Sequence, residues 1–271
     1  MKYIKKFPDG ETRGRSKRTP VDRFQTMAWY NCLVNVLETE TVNSLEVLVD
    51  RVRQRVSNSN NKLLKITNSA IPKLRGVNQN DDRSRAFDDY KIGERSPSDG
   101  VHQGKLGRVM AAEVLVPESG EVFRHLLWKV LKTQNMRYED VLAELKALKP
   151  VTRAQYLDMR LSESGLAAML ANSLSSPLHV AENDFRAAMD HLAVQLMFLR
   201  LDVVRHMPRQ RKEIALNIAV TLKPLAMSPW LGPFHEKMFD WLEENVWGDL
   251  FDQHFREGDI YTKGWRKFIR N

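Results

Sequence analysis

The spacing of apolar residues constrains this chain more than any other feature, because it follows a helical period in segment after segment. Val21, Phe24, Ala28, Cys32 and Val36 recur at steps of three and four residues, which places them on one face of a helix. No segment alternates apolar and polar residues over enough positions to predict a strand. We therefore expect an all-α protein.

Caps and changes in charge divide this helical pattern. Thr19 and Pro20 predict a helix start, with Thr as the N-cap and Pro at the first helical position. We divide the chain into a flexible basic arm (1–19), a basic helical N-terminal domain (20–132) and a larger C-terminal helical bundle (133–271). In the bundle, Pro224 and the prolines that follow it predict a break after the helix that begins near residue 210.

Residues 82–113 form a helix–turn–helix-like pattern. A short helix carries Phe87 and Tyr90 on one face and ends at Gly93. Ser98 is then expected to cap a second helix that runs toward residue 116. Two such helices joined by a short turn can present basic side chains to a phosphate backbone or a groove.

The positive charge is concentrated in the N-terminal half. The chain has a net charge of +8, and residues 51–108 hold thirteen Lys/Arg against six Asp/Glu. Residues 1–25 hold eight against three. Such a distribution is expected of a protein that meets a polyanion. The predicted nucleic-acid-binding residues are Lys17, Arg18, Arg51, Arg53, Arg55, Lys91, Arg95, Lys105 and Arg108.

Several enzyme classes lack their signatures here. There is no P-loop, no dinucleotide-binding glycine pattern, no Gly-x-Ser-x-Gly elbow and no His-Glu-x-x-His motif. The seven histidines are scattered, so we expect neither a metal nor a cofactor. A carboxylate and histidine site near His235 and Asp240 is the remaining enzymatic alternative, a hydrolase of unrecognised type.

The single cysteine and the lack of long apolar runs indicate the environment. Cys32 excludes an internal disulfide, and its place on the apolar face of the first helix predicts a buried small hydrophobe. The basic N-terminus is not followed by an apolar run typical of a signal peptide, and no stretch is apolar enough to span a bilayer. We expect a soluble cytoplasmic protein without membrane contact.

Aromatic residues are dense near the C-terminus, where they predict a core and, as the alternative, a surface for a protein partner. They are Trp230, Phe234, Phe239, Trp241, Trp247, Phe251, Phe255, Tyr261, Trp265 and Phe268.

One stretch resembles a pattern in uncharacterised bacterial helical proteins. It comprises Phe87-x-x-Tyr90-x-x-Gly93-x-x-x-Pro97, a Pro117-Glu118-Ser119 turn, and a helix with Phe123-x-His125-x-Leu127-Trp128. This chain has Glu118 where the pattern has glycine and Leu126 where it has proline. The resemblance implies a bacterial source and carries no known activity.

The sequence therefore favours a non-enzymatic bacterial protein, a regulator or a nucleic-acid-binding protein (DNA-binding or RNA-binding) that contacts phosphates through its basic N-terminal half. A helical interaction protein is the alternative, for example an accessory component of a phage-defence (antiviral) or mobile-element system. The unrecognised hydrolase is the third possibility.

Overall fold

The structure, a computed structural model, describes residues 18–38, 42–58, 85–102, 105–148, 185–201, 204 and 206–247. These residues are mostly helical, which confirms the all-α prediction. The helices are α1 (Pro20–Leu37), α2 (Val42–Asn58), α3 (Ala86–Lys91), α4 (Arg108–Leu115), α5 (Pro117–Phe123), α6 (Leu126–Lys132), α7 (Tyr138–Ala147), α8 (Phe185–Leu199), α9 (Pro208–Met227) and α10 (His235–Leu242). A 3-10 turn (Gly232–Phe234) precedes α10, a π-helical turn (Glu243–Trp247) follows it, and strands β1 (Val101–His102) and β2 (Lys105–Leu106) pair antiparallel between α3 and α4.

Helix α1 begins where the sequence places it. Thr19 Oγ1 accepts a hydrogen bond from Asp22 N (3.2 Å), and Asp22 Oδ2 accepts one from Thr19 N (3.0 Å). This reciprocal capping box satisfies amide groups that a helix start otherwise leaves without partners. Val21, Phe24, Ala28 and Cys32 of the predicted apolar face are buried, whereas Val36 near the end of the helix is 44% exposed. Burial, with the charge of Glu118 as the second cause, raises the pKa of the Cys32 thiol to about 12.

The helix predicted from Ser98 onward begins ten residues later, at Arg108. The hairpin of β1 and β2 occupies the intervening chain, yet Ser98 still caps the helix: its Oγ accepts from Arg108 N (3.2 Å) and its carbonyl from Val109 N (3.0 Å). Gly107 precedes the helix, and a Cβ there would lie 2.5 Å from the Ser98 carbonyl oxygen. A glycine at this position therefore allows the capping approach.

Three further boundaries differ from the prediction. Pro117 begins helix α5 instead of a turn, and the helix expected to contain Phe123, His125 and Trp128 is broken at Arg124 and His125. Pro224 lies inside α9, although it was predicted to break the chain.

One continuous core joins α1 to α10. Helix α1 packs on α5, α3 and α6, while α6 packs on α8 and α8 on α9. The buried Arg200, just after α8, donates to the carbonyls of Val130 (2.5 Å) and Leu131 (3.2 Å) near the C-terminal end of α6. Its cation thus meets the negative end of a helix dipole. These contacts cross residue 132. The domain boundary placed there is not tested by them and stays a prediction.

In the ranges that the structure covers, no helix is both long and apolar enough to cross a membrane.

Candidate ligand-binding pocket

The structure places Arg108, a predicted phosphate contact, in a buried network of protein side chains. Its guanidinium bonds both carboxylate oxygens of Asp50 (3.2 and 3.1 Å) and the Tyr90 hydroxyl (3.1 Å), and lies 3.9 Å from Glu46 Oε1. Burial alone would lower the pKa of Arg108, but the bonds to Asp50 and Tyr90 outweigh it and raise that pKa. Arg108 therefore holds α4 against α2 and α3.

Two more of the predicted cations bond to the backbone of neighbouring elements. Arg18 donates to the carbonyls of Gly93 (2.6 Å) and Asp22 (2.6 Å), which fastens the loop after α3 to the start of α1. Arg53 donates to the Leu106 carbonyl (2.8 Å) and pairs with Asp50 (3.1 Å). Both side chains serve the fold in these positions.

The remaining predicted cations are more open or lie elsewhere. Lys91 and Lys105 are exposed, and Arg95 lies 4.0 Å from Asp89 at 42% exposure. Arg51 is partly buried on α2. Lys17 and the side chain of Arg55 lie outside the described residues.

Most of the basic excess belongs to two segments that the structure does not cover. Residues 1–17 hold six Lys/Arg against two Asp/Glu, and residues 59–84 hold five against two. The charge pattern that predicts a polyanion partner therefore belongs mainly to these segments.

The C-terminal aromatics that the structure describes contribute to the core. Phe234 and Phe239 are buried, and Phe24 of α1 stacks on Phe234 at 5.7 Å and meets Trp241 edge-on at 6.4 Å. Trp230 and Trp241 are partly buried. The side chain of Trp247 and the aromatics from Phe251 to the C-terminus lie outside the described residues, as does His254.

The strongest candidate site is a pocket of about 240 Å³ between α5, the start of α6, α8 and the turn after α9. It is lined by Glu118, Glu121, Val122, His125, Arg186, Met189 and Trp230. The volume lies just below the range of roughly 300–1,000 Å³ that is typical of drug-sized ligands, so the pocket suits a smaller molecule.

Trp230 forms a wall of the pocket that is fixed from three sides. Its carbonyl accepts from Asn31 Nδ2 (3.0 Å) of α1, and its amide donates to Ser228 Oγ (3.1 Å). Its ring meets Phe185 edge-on at 6.4 Å. A wall held in this way is preorganised, which lowers the entropy lost when a ligand binds.

His125 contributes a buried hydrogen-bond donor. As the N-cap of α6, its Nδ1 accepts from Leu127 N (3.1 Å), so the ring proton of the neutral imidazole is on Nε2. Nε2 lies 3.0 Å from Asp190 Oδ1 of α8, but it makes no hydrogen bond of normal geometry among the described residues. The side chain is 7% exposed.

This geometry suits binding better than acid–base catalysis. A general base needs a free nitrogen, and the backbone amide of Leu127 already occupies Nδ1. A buried donor without an acceptor costs free energy, which an acceptor on a bound molecule would recover.

The mouth of the pocket is charged. Arg186 of α8 forms an ion pair with Glu121 of α5, and Glu118 lies exposed one helical turn before Glu121. Across the described ranges, no group of three or more His, Cys, Asp or Glu is arranged to hold a metal ion.

Sequence reasoning missed this pocket, although part of its signal was present. His125 belongs to the pattern that resembles the uncharacterised bacterial proteins, Glu118 stands where that pattern has glycine, and Val122 lies between them. The contributions of Arg186, Met189 and Trp230 come from helices far along the chain, and no local pattern connects them to α5.

Comparison of the chain with family models, curated proteins and solved structures finds no match.

Proposed function

We propose that this protein binds a small organic molecule in the pocket between α5 and α8. The observation that carries the proposal is the His125 side chain, which lines the pocket and whose buried Nε2–H makes no hydrogen bond of normal geometry among the described residues, although Asp190 Oδ1 lies 3.0 Å away. Val122, Met189 and Trp230 supply an apolar wall around it. The ligand accordingly has an acceptor oxygen and a compact apolar body.

A fragment set containing carbonyl, hydroxyl and purely apolar compounds tests the proposal by ligand-observed NMR. We expect hits among the oxygen-bearing fragments. V122F should abolish them, because the larger ring fills the pocket. The control is V36F, the same substitution at an exposed position of α1.

A variant of the donor itself completes the test. H125N keeps a good helix N-cap but removes the ring donor, and the loss of one hydrogen bond should weaken the hits by about fivefold to tenfold. Hits that bind V122F as well as the natural chain, or no hits at all, would rule the proposal out.

We also propose contact with nucleic-acid phosphates through the basic N-terminal half, as a second function. Its support is the basic excess of residues 1–17 and 59–84, together with the exposed Lys91 and Lys105. Phosphate contact predicts that the logarithm of the binding constant falls linearly with the logarithm of salt concentration.

The structure improves the choice of variants for that measurement. Arg18, Arg53 and Arg108 are unsuitable, because their loss would disturb the fold. Joint substitution of Lys17, Lys91 and Lys105 by Gln should flatten the salt slope by about two to three. Joint substitution of the exposed Lys146 and Lys237 by Gln is the control. An equal change of the salt slope in the control, or no binding at low salt, would refute the phosphate contact.

A further inference from the structure

The charges lining the pocket do not cancel. Glu118 and Glu121 contribute two carboxylates, whereas Arg186 is the one positively charged lining residue and is paired with Glu121. Asp190, behind the lining residues, places another carboxylate 3.0 Å from His125 Nε2. The pocket therefore has a negative potential that a cation would lower.

Glu118 is the carboxylate that is open to a ligand. It is exposed, it lines the pocket, and it forms no ion pair among the residues that the structure covers. Its charge is also the second cause, after burial, of the raised pKa of the Cys32 thiol in α1.

Trp230 favours the same sign of charge. The face of an indole ring carries negative electrostatic potential and attracts ammonium and guanidinium groups more strongly than the other aromatic side chains do. Asn31 and Ser228 hold the Trp230 backbone and Phe185 packs against its ring, which favours a preorganised position for meeting a ligand.

We infer that the ligand of this pocket is a small organic cation. Its ammonium or guanidinium group lies beside Glu118, its apolar part packs on Val122, Met189 and Trp230, and an acceptor oxygen meets His125 Nε2–H. This inference rests on the proposed binding function and adds the sign of the ligand's charge.

Three probes of nearly equal shape test the inference by calorimetric titration. They share an aromatic ring and an amide carbonyl: N-(2-aminoethyl)benzamide carries an ammonium group, N-(2-hydroxyethyl)benzamide is neutral, and hippurate carries a carboxylate. We expect the ammonium probe to bind about threefold to fivefold more tightly than the neutral one, the size of an exposed ion pair, and hippurate to bind most weakly.

Two variants should move the preference in opposite directions. E118Q removes the open carboxylate, so the ammonium and neutral probes should bind it about equally. R186Q removes the positive charge that is paired with Glu121, so it should increase the preference for the ammonium probe. E236Q, an exposed glutamate on α10 away from the pocket, should change neither.

The outcomes separate this inference from the binding function. The pocket is supported if the neutral probe binds the natural chain and V122F abolishes that binding. The cation is then ruled out if the ammonium probe is not preferred, or if E118Q leaves its preference intact. If none of the three probes binds, both proposals are overturned.

Discussion

Two arginines in this chain allow a test of how strongly burial determines the contribution of an ion pair to the free energy of unfolding. Arg108 contacts Asp50 and Glu46 with its side chain 13% exposed, and Arg124 contacts Asp99 and Glu113 at 42% exposure. Each guanidinium thus meets two carboxylates, Arg108 also bonds the Tyr90 hydroxyl, and the larger difference between the two is the surrounding solvent. Replacing either one by methionine keeps most of the side-chain volume and removes the charge.

R108M should cost about 3 kcal/mol in the free energy of unfolding. Removing one partner of a buried ion pair typically costs about 3–5 kcal/mol, because the other partner keeps its buried charge. Glu46 is 3% exposed and loses its guanidinium neighbour, whereas Asp50 is 29% exposed and retains Arg53, which favours the lower end. R124M should cost less than about 1 kcal/mol, since water replaces much of the lost interaction.

Urea unfolding of both variants, followed by circular dichroism at constant pH and ionic strength, measures the difference. Adding E46Q to R108M should recover part of the lost free energy of unfolding. E46Q removes the buried negative charge that R108M deprives of its neighbouring guanidinium. Equal costs for R108M and R124M, or a further loss on adding E46Q, would show that burial does not set the strength of these pairs.

Two further predictions concern acid and glycine. Burial, opposed in part by Asp190, lowers the pKa of His191 to about 4, so the unfolded chain takes up a proton near pH 6.5 while the folded chain does not. The free energy of unfolding should therefore fall by about 3 kcal/mol as the pH drops from about 6.5 to 4. Urea unfolding at a series of pH values measures this dependence, and H191Q should flatten it. An unchanged slope in H191Q would refute the role of His191. Gly93 and Gly100 both have positive φ, but a Cβ at Gly93 would lie 2.8 Å from Arg23 Cβ and one at Gly100 would meet nothing within 4 Å. Thermal unfolding should therefore show a larger loss for G93A than for G100A, for which only the backbone strain of about 1 kcal/mol applies; equal losses would contradict the clash.

The sequence was sufficient where the determining interactions were local. Thr19, Pro20 and the apolar spacing behind them lie within a few turns of one another, so the start of α1 and most of its buried face could be predicted. Ser98 was recognised as a cap, but the helix it caps begins ten residues later, and only the bond across the hairpin reveals the connection. At Pro224 a strong local signal was misleading, because the helix continues through it. The burial of Leu222 and Leu225 on either side outweighs the amide hydrogen bond that proline cannot donate.

The pocket lay beyond sequence reasoning for a related reason, since its chemistry depends on which nitrogen of one imidazole is occupied. From the sequence, His125 is predicted to lie inside an apolar helix. In the structure, the break between α5 and α6 makes it the N-cap of α6. The capping bond from Leu127 fixes Nδ1 as the acceptor, and so leaves Nε2–H as the donor. Whether that donor is satisfied depends on the direction of Asp190, a residue sixty-five positions away on α8. The local rule that ends one helix and starts the next thus also creates the hydrogen bond that a ligand would complete.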